Sequence, residues 1–110
     1  MWGVMRVPGR RSGVIRSNPV APHVLGDMVL IPLSYGPDVD WVKNVLAAGG
    51  GDLRYRRRDW RLADPRLIPI GTAAARLPER LARSYERMRV AAFLELRVES
   101  VVSEGARPPA

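Results

Sequence analysis

The first stretch of the chain suits extended backbone. Trp2 to Val7 reads as a short strand, and Gly9-Arg10-Arg11-Ser12-Gly13 cuts it off with a polar turn bounded by glycine. Val14 to Leu25 then reads as an extended segment. Its Pro19 and Pro22 have no N–H to give a neighbouring strand, so the segment belongs at a sheet edge or across a bulge. Gly26-Asp27 is a hairpin signal. The strand from Asp27 to Ser34 holds Met28, Val29, Leu30, Ile31 and Leu33, the near-continuous apolar run of a buried element.

The period changes after Gly36-Pro37. Trp41, Val42, Val45, Leu46 and Ala48 fall on one face of a helix that Asp38 or Asp40 can cap and that Gly49-Gly50-Gly51 ends. Extended spacing returns over Asp52 to Leu62. Leu53 and Tyr55 precede the polar Arg56-Arg57-Arg58-Asp59 stretch and Trp60 and Leu62 follow it, which predicts a hairpin whose turn lacks glycine. Asp64-Pro65 and Ile68-Pro69 mark an irregular connection. A second helix follows, with Pro78 in its first turn and an apolar stripe of Leu77, Leu81, Tyr85 and Met88. Ala91 to Val102, which contains Phe93, is the closing strand. Ser103 to Ala110 is a polar tail expected to be disordered.

About six strands and two helices, with no internal repeat, make a mainly β domain over residues 1–102. A small split β-barrel suits them, its nearly closed sheet limiting exposed edges while helices plug its ends; an α+β sandwich is the alternative. A chain of 110 residues holds one domain with a modest core, so a bound cofactor or a second copy in a homodimer would add to its stability. The absence of cysteine excludes disulfides, thiol nucleophiles and cysteine-ligated metals. The single His23, expected to be structural or exposed, excludes a histidine metal cluster, so no metal site is expected. No apolar run reaches the roughly 18 residues of a membrane helix, and no signal-peptide stretch opens the chain, which makes a cytoplasmic location the default expectation.

Net charge is +7, and arginine supplies all but one of the 18 basic residues. Guanidinium forks hold phosphate oxygens bidentately, so nucleic acid and a small phosphorylated ligand are both candidate partners. Arginine bias with abundant Ala, Gly, Val and Pro also accompanies GC-rich coding, so charge alone does not choose between them. The nucleic-acid reading would use Arg54, Arg56, Arg57, Arg58 and Arg61, with Tyr55 and Trp60 as stacking groups, yet no RNA- or DNA-binding motif surrounds them.

Two segments narrow the choice. Gly9-Arg10-Arg11-Ser12-Gly13 followed by Arg16, Asn18, Pro19 and Val20, and downstream Ser34-Tyr35-Gly36 ahead of Trp41, Asn44 and Leu46, resemble the two signatures of the deazaflavin-dependent nitroreductase family. They stand in order at suitable spacing, and the resemblance spans roughly Val4 to Val98. It implies a split barrel of the FMN-binding-like type that uses coenzyme F420, an 8-hydroxy-5-deazaflavin with a phosphate and an oligoglutamate tail. FMN is the alternative cofactor. The implied activity is hydride transfer to a nitro compound, enone or quinone; binding of the cofactor without turnover is the alternative, ahead of nucleic-acid binding.

The family's cofactor contacts would fall on Arg10, Arg11 and Ser12, and on Arg16, Ser17, Asn18, Pro19, Val20 and Ala21. They would continue on Pro32, Leu33, Ser34 and Tyr35, and on the helix start from Asp40 through Trp41 to Asn44. A glycine-bounded loop with two arginines and a serine can approach a phosphate closely with forked donors and backbone N–H groups. Arg11 and Arg16 are therefore expected at the phosphate and tail, and Ser34 with the strand-end backbone at the ring. Trp41 has a core role as the competing reading, and Asn44 a role in tying its helix to the barrel. Tyr85 matches a substrate-side tyrosine that would act as catalytic proton donor, although stripe aromatics more often pack. Tyr35 stands where the family has a small or basic residue, and Arg57-Arg58-Asp59 replaces a family glycine. Family members also carry a helix ahead of the first strand. Eight residues precede Gly9, so that substrate-covering part is expected to be absent or to lie upstream of Met1.

Overall fold

The computed structural model describes residues 2–103. Among them are seven strands and three helices: β1 (Gly3–Pro8), β2 (Ile15–Val20), β3 (His23–Leu25), β4 (Met28–Pro32), α1 (Asp40–Ala48), β5 (Gly50–Tyr55), β6 (Arg58–Pro69), α2 (Ile70–Ala74), α3 (Glu79–Arg87) and β7 (Ala92–Ser103). The strands form one antiparallel sheet in the order β2-β1-β5-β6-β7-β4-β3. Its two edges are β2 and β3, and only Ala21 and Pro22 separate them along the chain. So short a link spans roughly 10 Å at most. The sheet must therefore curl until its edges nearly meet, which is the geometry of a split barrel.

The extended segment expected over Val14 to Leu25 is thus two strands on opposite edges, and its prolines explain the division. Pro19 sits in an edge strand, where a missing donor costs no ladder bond, and Pro22 falls in the link. The β3–β4 hairpin turns at Gly26, whose φ of 64° suits the first central position of a tight hairpin turn. The β5–β6 hairpin turns on Arg56 and Arg57 at φ 52° and 61°, left-handed values that Asn and Gly adopt more cheaply.

The irregular connection expected around Asp64-Pro65 is a bulge inside β6. Between Ala63 and Arg66 the pairing with β7 shifts, and Asp64 takes φ 52° with its carboxylate 2.7 Å from Arg97 Nε. One extra residue inverts side-chain parity. Trp60 and Leu62 consequently face one core with Met5, Val29, Ile31, Leu53, Leu94 and Leu96, while Ile68 faces a second core with Leu30, Phe93, Leu77 and Tyr85. Each fully buried aliphatic side chain contributes about 1.5–3 kcal/mol over leaving it exposed.

Helix α1 closes the first core with Val42 and Val45, and α2 and α3 cover the second with Ala73, Ala82 and Tyr85. The stop of α1 is the predicted glycine: Gly49 adopts φ 75° and its N–H reaches the carbonyls of Leu46 and Val45. Its start differs from expectation, because Val39 is the cap residue and no side chain caps the helix. Leu46 is more exposed than its predicted place on the apolar face, and Met88 lies past the end of α3 in solvent. Helix α2 was not predicted; Gly71 and Ala73 to Ala75 carry little periodic signal. Of the tail expected from Ser103, Ser103 itself ends β7, and residues 104–110 lie outside the described residues. No helix of the described residues is long and apolar enough to cross a membrane.

Candidate functional site

The loop between β1 and β2 builds the first wall. Gly9 N–H donates to Val14 O at 2.9 Å, Gly13 N–H to Gly9 O at 2.8 Å, and Ser12 Oγ accepts from Val14 N–H at 3.2 Å. Gly13 is left-handed at φ 73°. A Cβ on Gly9 would sit 2.8 Å from Ser12 Oγ and 3.3 Å from Arg16 Nε, so a side chain there would push those two groups from their places in the loop. Helix α1 supplies the facing wall. Asn44 Oδ1 accepts from the Arg10 amide at 3.1 Å and from its guanidinium at 2.8 Å, while Asp40 takes the other fork of Arg10 at 3.3 Å. The carboxylate expected to cap α1 serves the loop instead.

Between these walls lies an open cavity of about 420 Å³ lined by the loop residues Gly9 to Ser12, Arg16 and Asn18 of β2, and Asp40, Trp41 and Asn44 of α1. Three arginines face one aspartate, and Arg10 is already engaged by that aspartate. Among the described residues, no hydrogen bond or ion pair occupies the guanidinium of Arg11 or Arg16, and the amides of Arg11 and Ser12 have no acceptor. The wall of this cavity carries several hydrogen-bond donors and a single carboxylate.

Trp41 is also a wall of a second, smaller cavity of about 130 Å³, formed by Pro19, Val20 and Ala21 at one sheet edge and Pro32, Leu33, Ser34 and Tyr35 after β4. The turn there is closed by Gly36 N–H donating to Leu33 O at 3.0 Å, with Gly36 at φ 86°. Tyr35 is 91% exposed and Trp2 71% exposed, so two aromatic rings stand at the mouth of a slot whose floor is backbone and aliphatic side chain.

Of the predicted contacts, Arg10, Arg11, Ser12, Arg16, Asn18, Trp41 and Asn44 meet in the first cavity, and Pro19, Val20, Ala21, Pro32, Leu33, Ser34, Tyr35 and again Trp41 in the second. Ser17 and Tyr85 are not among them. Ser17 pairs with Arg6 and so points to the opposite side of the sheet from Arg16 and Asn18. Tyr85 belongs to the second core, edge-on to Phe93, with its hydroxyl 2.6 Å from His23 Nε2. Burial raises the Tyr85 hydroxyl and lowers the His23 imidazole from their ordinary values, which keeps both neutral. Trp2, Gly9, Gly36 and Val39 line the cavities without having been predicted. Trp2 had a signal in the pairing of its strand with the segment that ends at Ala21. The stacking groups of the nucleic-acid reading are buried: Tyr55 is 5% exposed, and Trp60, 7% exposed, donates its indole N–H to Tyr55 O at 3.0 Å.

The curled seven-stranded sheet with its helical plug is a split barrel. Solved structures share it. An F420 reductase superposes with a TM-score of 0.67 at 14% identity, covering 93% of this chain and 89% of that one. A Listeria innocua protein assigned as a pyridoxamine 5′-phosphate oxidase gives 0.67 at 11% identity, covering 92% and 86%. At these identities the likeness is one of fold. No protein-family model and no curated protein matches the sequence.

Proposed function

We propose that this protein is a deazaflavin-dependent oxidoreductase that holds coenzyme F420 across its two cavities and serves hydride transfer to an activated acceptor such as a nitro compound, enone or quinone. The observation that carries this reading is the meeting, at Trp41, of an arginine-lined cavity with unoccupied donors and an apolar slot flanked by exposed aromatic rings. The donor set fits a ligand with one anionic end and one planar end. Arg11 and Arg16 hold the phosphate and tail, with the Arg11 and Ser12 amides and the first turn of α1 adding partial positive charge. Ser34 and the backbone at Pro32 and Leu33 hold the ring edge, and Trp2, Tyr35 and Trp41 exclude water from its faces. When bound, the coenzyme supplies the hydride from its reduced ring, and the chain supplies position and electrostatics.

The tail cavity is the larger of the two, which favours a long anionic tail over the single phosphate of FMN. Binding without turnover is the second reading, favoured by one observation: among the described residues lining the slot, Ser34 and Tyr35 carry the only hydroxyls, both in exposed positions. Fluorescence titration with coenzyme F420 and FMN, followed by a turnover assay with a nitroaromatic and a quinone, tests both. Coenzyme F420 should bind at low micromolar Kd or better, about −8 kcal/mol or more favourable. FMN co-purifying at full occupancy and resisting displacement would overturn the cofactor assignment. Tight coenzyme binding with no oxidation of its reduced form by either acceptor would establish the binder.

A further inference from the structure

We infer that Asn44 is the positioning residue of the anion loop, acting through Arg10, and that Arg10 is a brace while Arg11, Ser12 and Arg16 are the residues that meet the anion. The inference deepens the cofactor reading and concerns the phosphate end of that site alone. Asn44 lies in the middle of α1 and is 4% exposed, and a polar amide buried to that degree demands a partner. That partner is a loop 34 positions away in sequence: one oxygen takes both the Arg10 amide and one arm of its guanidinium. Asp40, one turn earlier on α1, takes the other arm. Three contacts converge on one loop residue from one rigid helix.

The consequence for Arg10 is that its charge is answered and its orientation fixed inside the protein. The consequence for the loop is that its first amide is turned inward, while the next two, those of Arg11 and Ser12, are left without acceptors at the cavity wall. Successive amides aimed at one point bind an anion only while the backbone is held in that shape. Beyond the Pro8–Ile15 pair the loop is closed by its own bonds, Gly9 N–H to Val14 O, Gly13 N–H to Gly9 O and Val14 N–H to Ser12 Oγ. The bridge from α1 fixes where that closed loop stands against the helix and the cavity.

The test uses the whole protein and pyrophosphate as the anion, with riboflavin as a probe of the ring slot that carries no phosphate. Amide signals of Arg10, Arg11 and Ser12 are followed through a pyrophosphate titration of wild type, Asn44→Ala, Arg10→Ala and the double variant. In the wild type, pyrophosphate should shift the Arg11 and Ser12 amides, and the Arg10 amide should exchange slowly with solvent. Asn44→Ala should speed Arg10 exchange and weaken pyrophosphate about tenfold, while riboflavin affinity stays within about twofold. Arg10→Ala removes both guanidinium arms but keeps the amide bond to Asn44, so it should weaken pyrophosphate several-fold but less than Asn44→Ala, and the double variant should lose less than the product of the two, because both act on one bridge. Losses that multiply would make Arg10 a direct ligand and overturn the brace; so would unchanged pyrophosphate affinity in Asn44→Ala, or a wild type that binds no pyrophosphate. If Asn44→Ala does not fold, Arg10→Ala decides, since it alters a surface side chain: Arg11 and Ser12 amides that still respond at wild-type affinity overturn the inference. A wild type that binds pyrophosphate in this Asn44-dependent way but neither riboflavin, FMN nor coenzyme F420 would sink the cofactor reading and leave this one standing.

Discussion

Arg6 and Arg16 stand on neighbouring strands and carry the same charge, but sheet alternation sends them to opposite faces. Arg16 pairs with the buried Val7 and lines the first cavity, whereas Arg6 pairs with Ser17 on the other side. Replacing either with alanine lowers net charge by one. Only Arg16→Ala removes a donor from the cavity. A charge-assisted hydrogen bond contributes roughly 1.5–3 kcal/mol. The lower end applies to an exposed guanidinium screened by salt, and about 1.4 kcal/mol is tenfold in affinity. Arg16→Ala should therefore weaken coenzyme F420 and FMN about tenfold and leave riboflavin, which lacks the phosphate, unchanged. Arg6→Ala acts only from the opposite face of the sheet, where salt screens its charge, and should change none of the three by more than about twofold. Fluorescence titrations of both variants with all three ligands, at low and at high salt, provide the measurement. Equal losses for Arg6→Ala and Arg16→Ala, or equal losses for FMN and riboflavin, would show that bulk charge and not the cavity attracts the anion, and the reasoning would fail.

Other perturbations address the scaffold. Gly50 has φ 151° and a Cβ there would meet Leu62 O at 2.0 Å, so Gly50→Ala should lower stability by about 3 kcal/mol or more, read as a drop in denaturant midpoint; a midpoint within error of wild type would contradict the close approach of β5 and β6. Glu95, 7% exposed, is held by Arg76 at 2.5 Å and Arg66 at 3.2 Å. Glu95→Ala should cost about 2 kcal/mol, less than the roughly 3–5 of a fully buried pair because both arginines reach water, and no loss would mean the arginines find other partners. Burial lowers His23 below its ordinary 6.5, so the unfolded chain binds more protons there and stability falls as pH drops below about 6.5 towards the folded-state value. His23→Gln should flatten this part of the profile, measured as denaturant midpoints between about pH 5 and 8; identical slopes in variant and wild type would reject it.

What the sequence made legible was local. The glycine-bounded turn, the buried strand around Val29 and Ile31, and the end of α1 at Gly49 are each encoded by a few neighbouring residues with one conformational preference. The bulge at Asp64 was not legible, because Asp-Pro signals a break and only the uninterrupted partner β7 carries the strand past it. The Arg56-Arg57 turn hid for a related reason: tertiary pairing of Tyr55 with Arg58 imposes a left-handed backbone that arginine does not announce. Tyr85 shows the limit for sites. A stripe of Leu77, Leu81 and Tyr85 says that a face is buried, and nothing in it says against which side of the sheet. Asn44 was recognisable by position, but its partner 34 residues away emerges only once helix and hairpin are placed together.

The two-residue join between the outermost strands has a mechanical meaning. A hydrogen-bonded sheet resists opening everywhere except where the ladder stops, and here it stops between β2 and β3, beside Ala21 and Pro22. The smaller cavity lies along that gap, with Pro19 to Ala21 on one lip and Pro32 to Tyr35 near the other. An occupant of the slot acts as a clasp. It bridges lips that no backbone bond connects, so the work of prising the barrel apart and the work of expelling the occupant are coupled, and each tenfold of free occupant concentration above Kd raises stability against unfolding by about 1.4 kcal/mol.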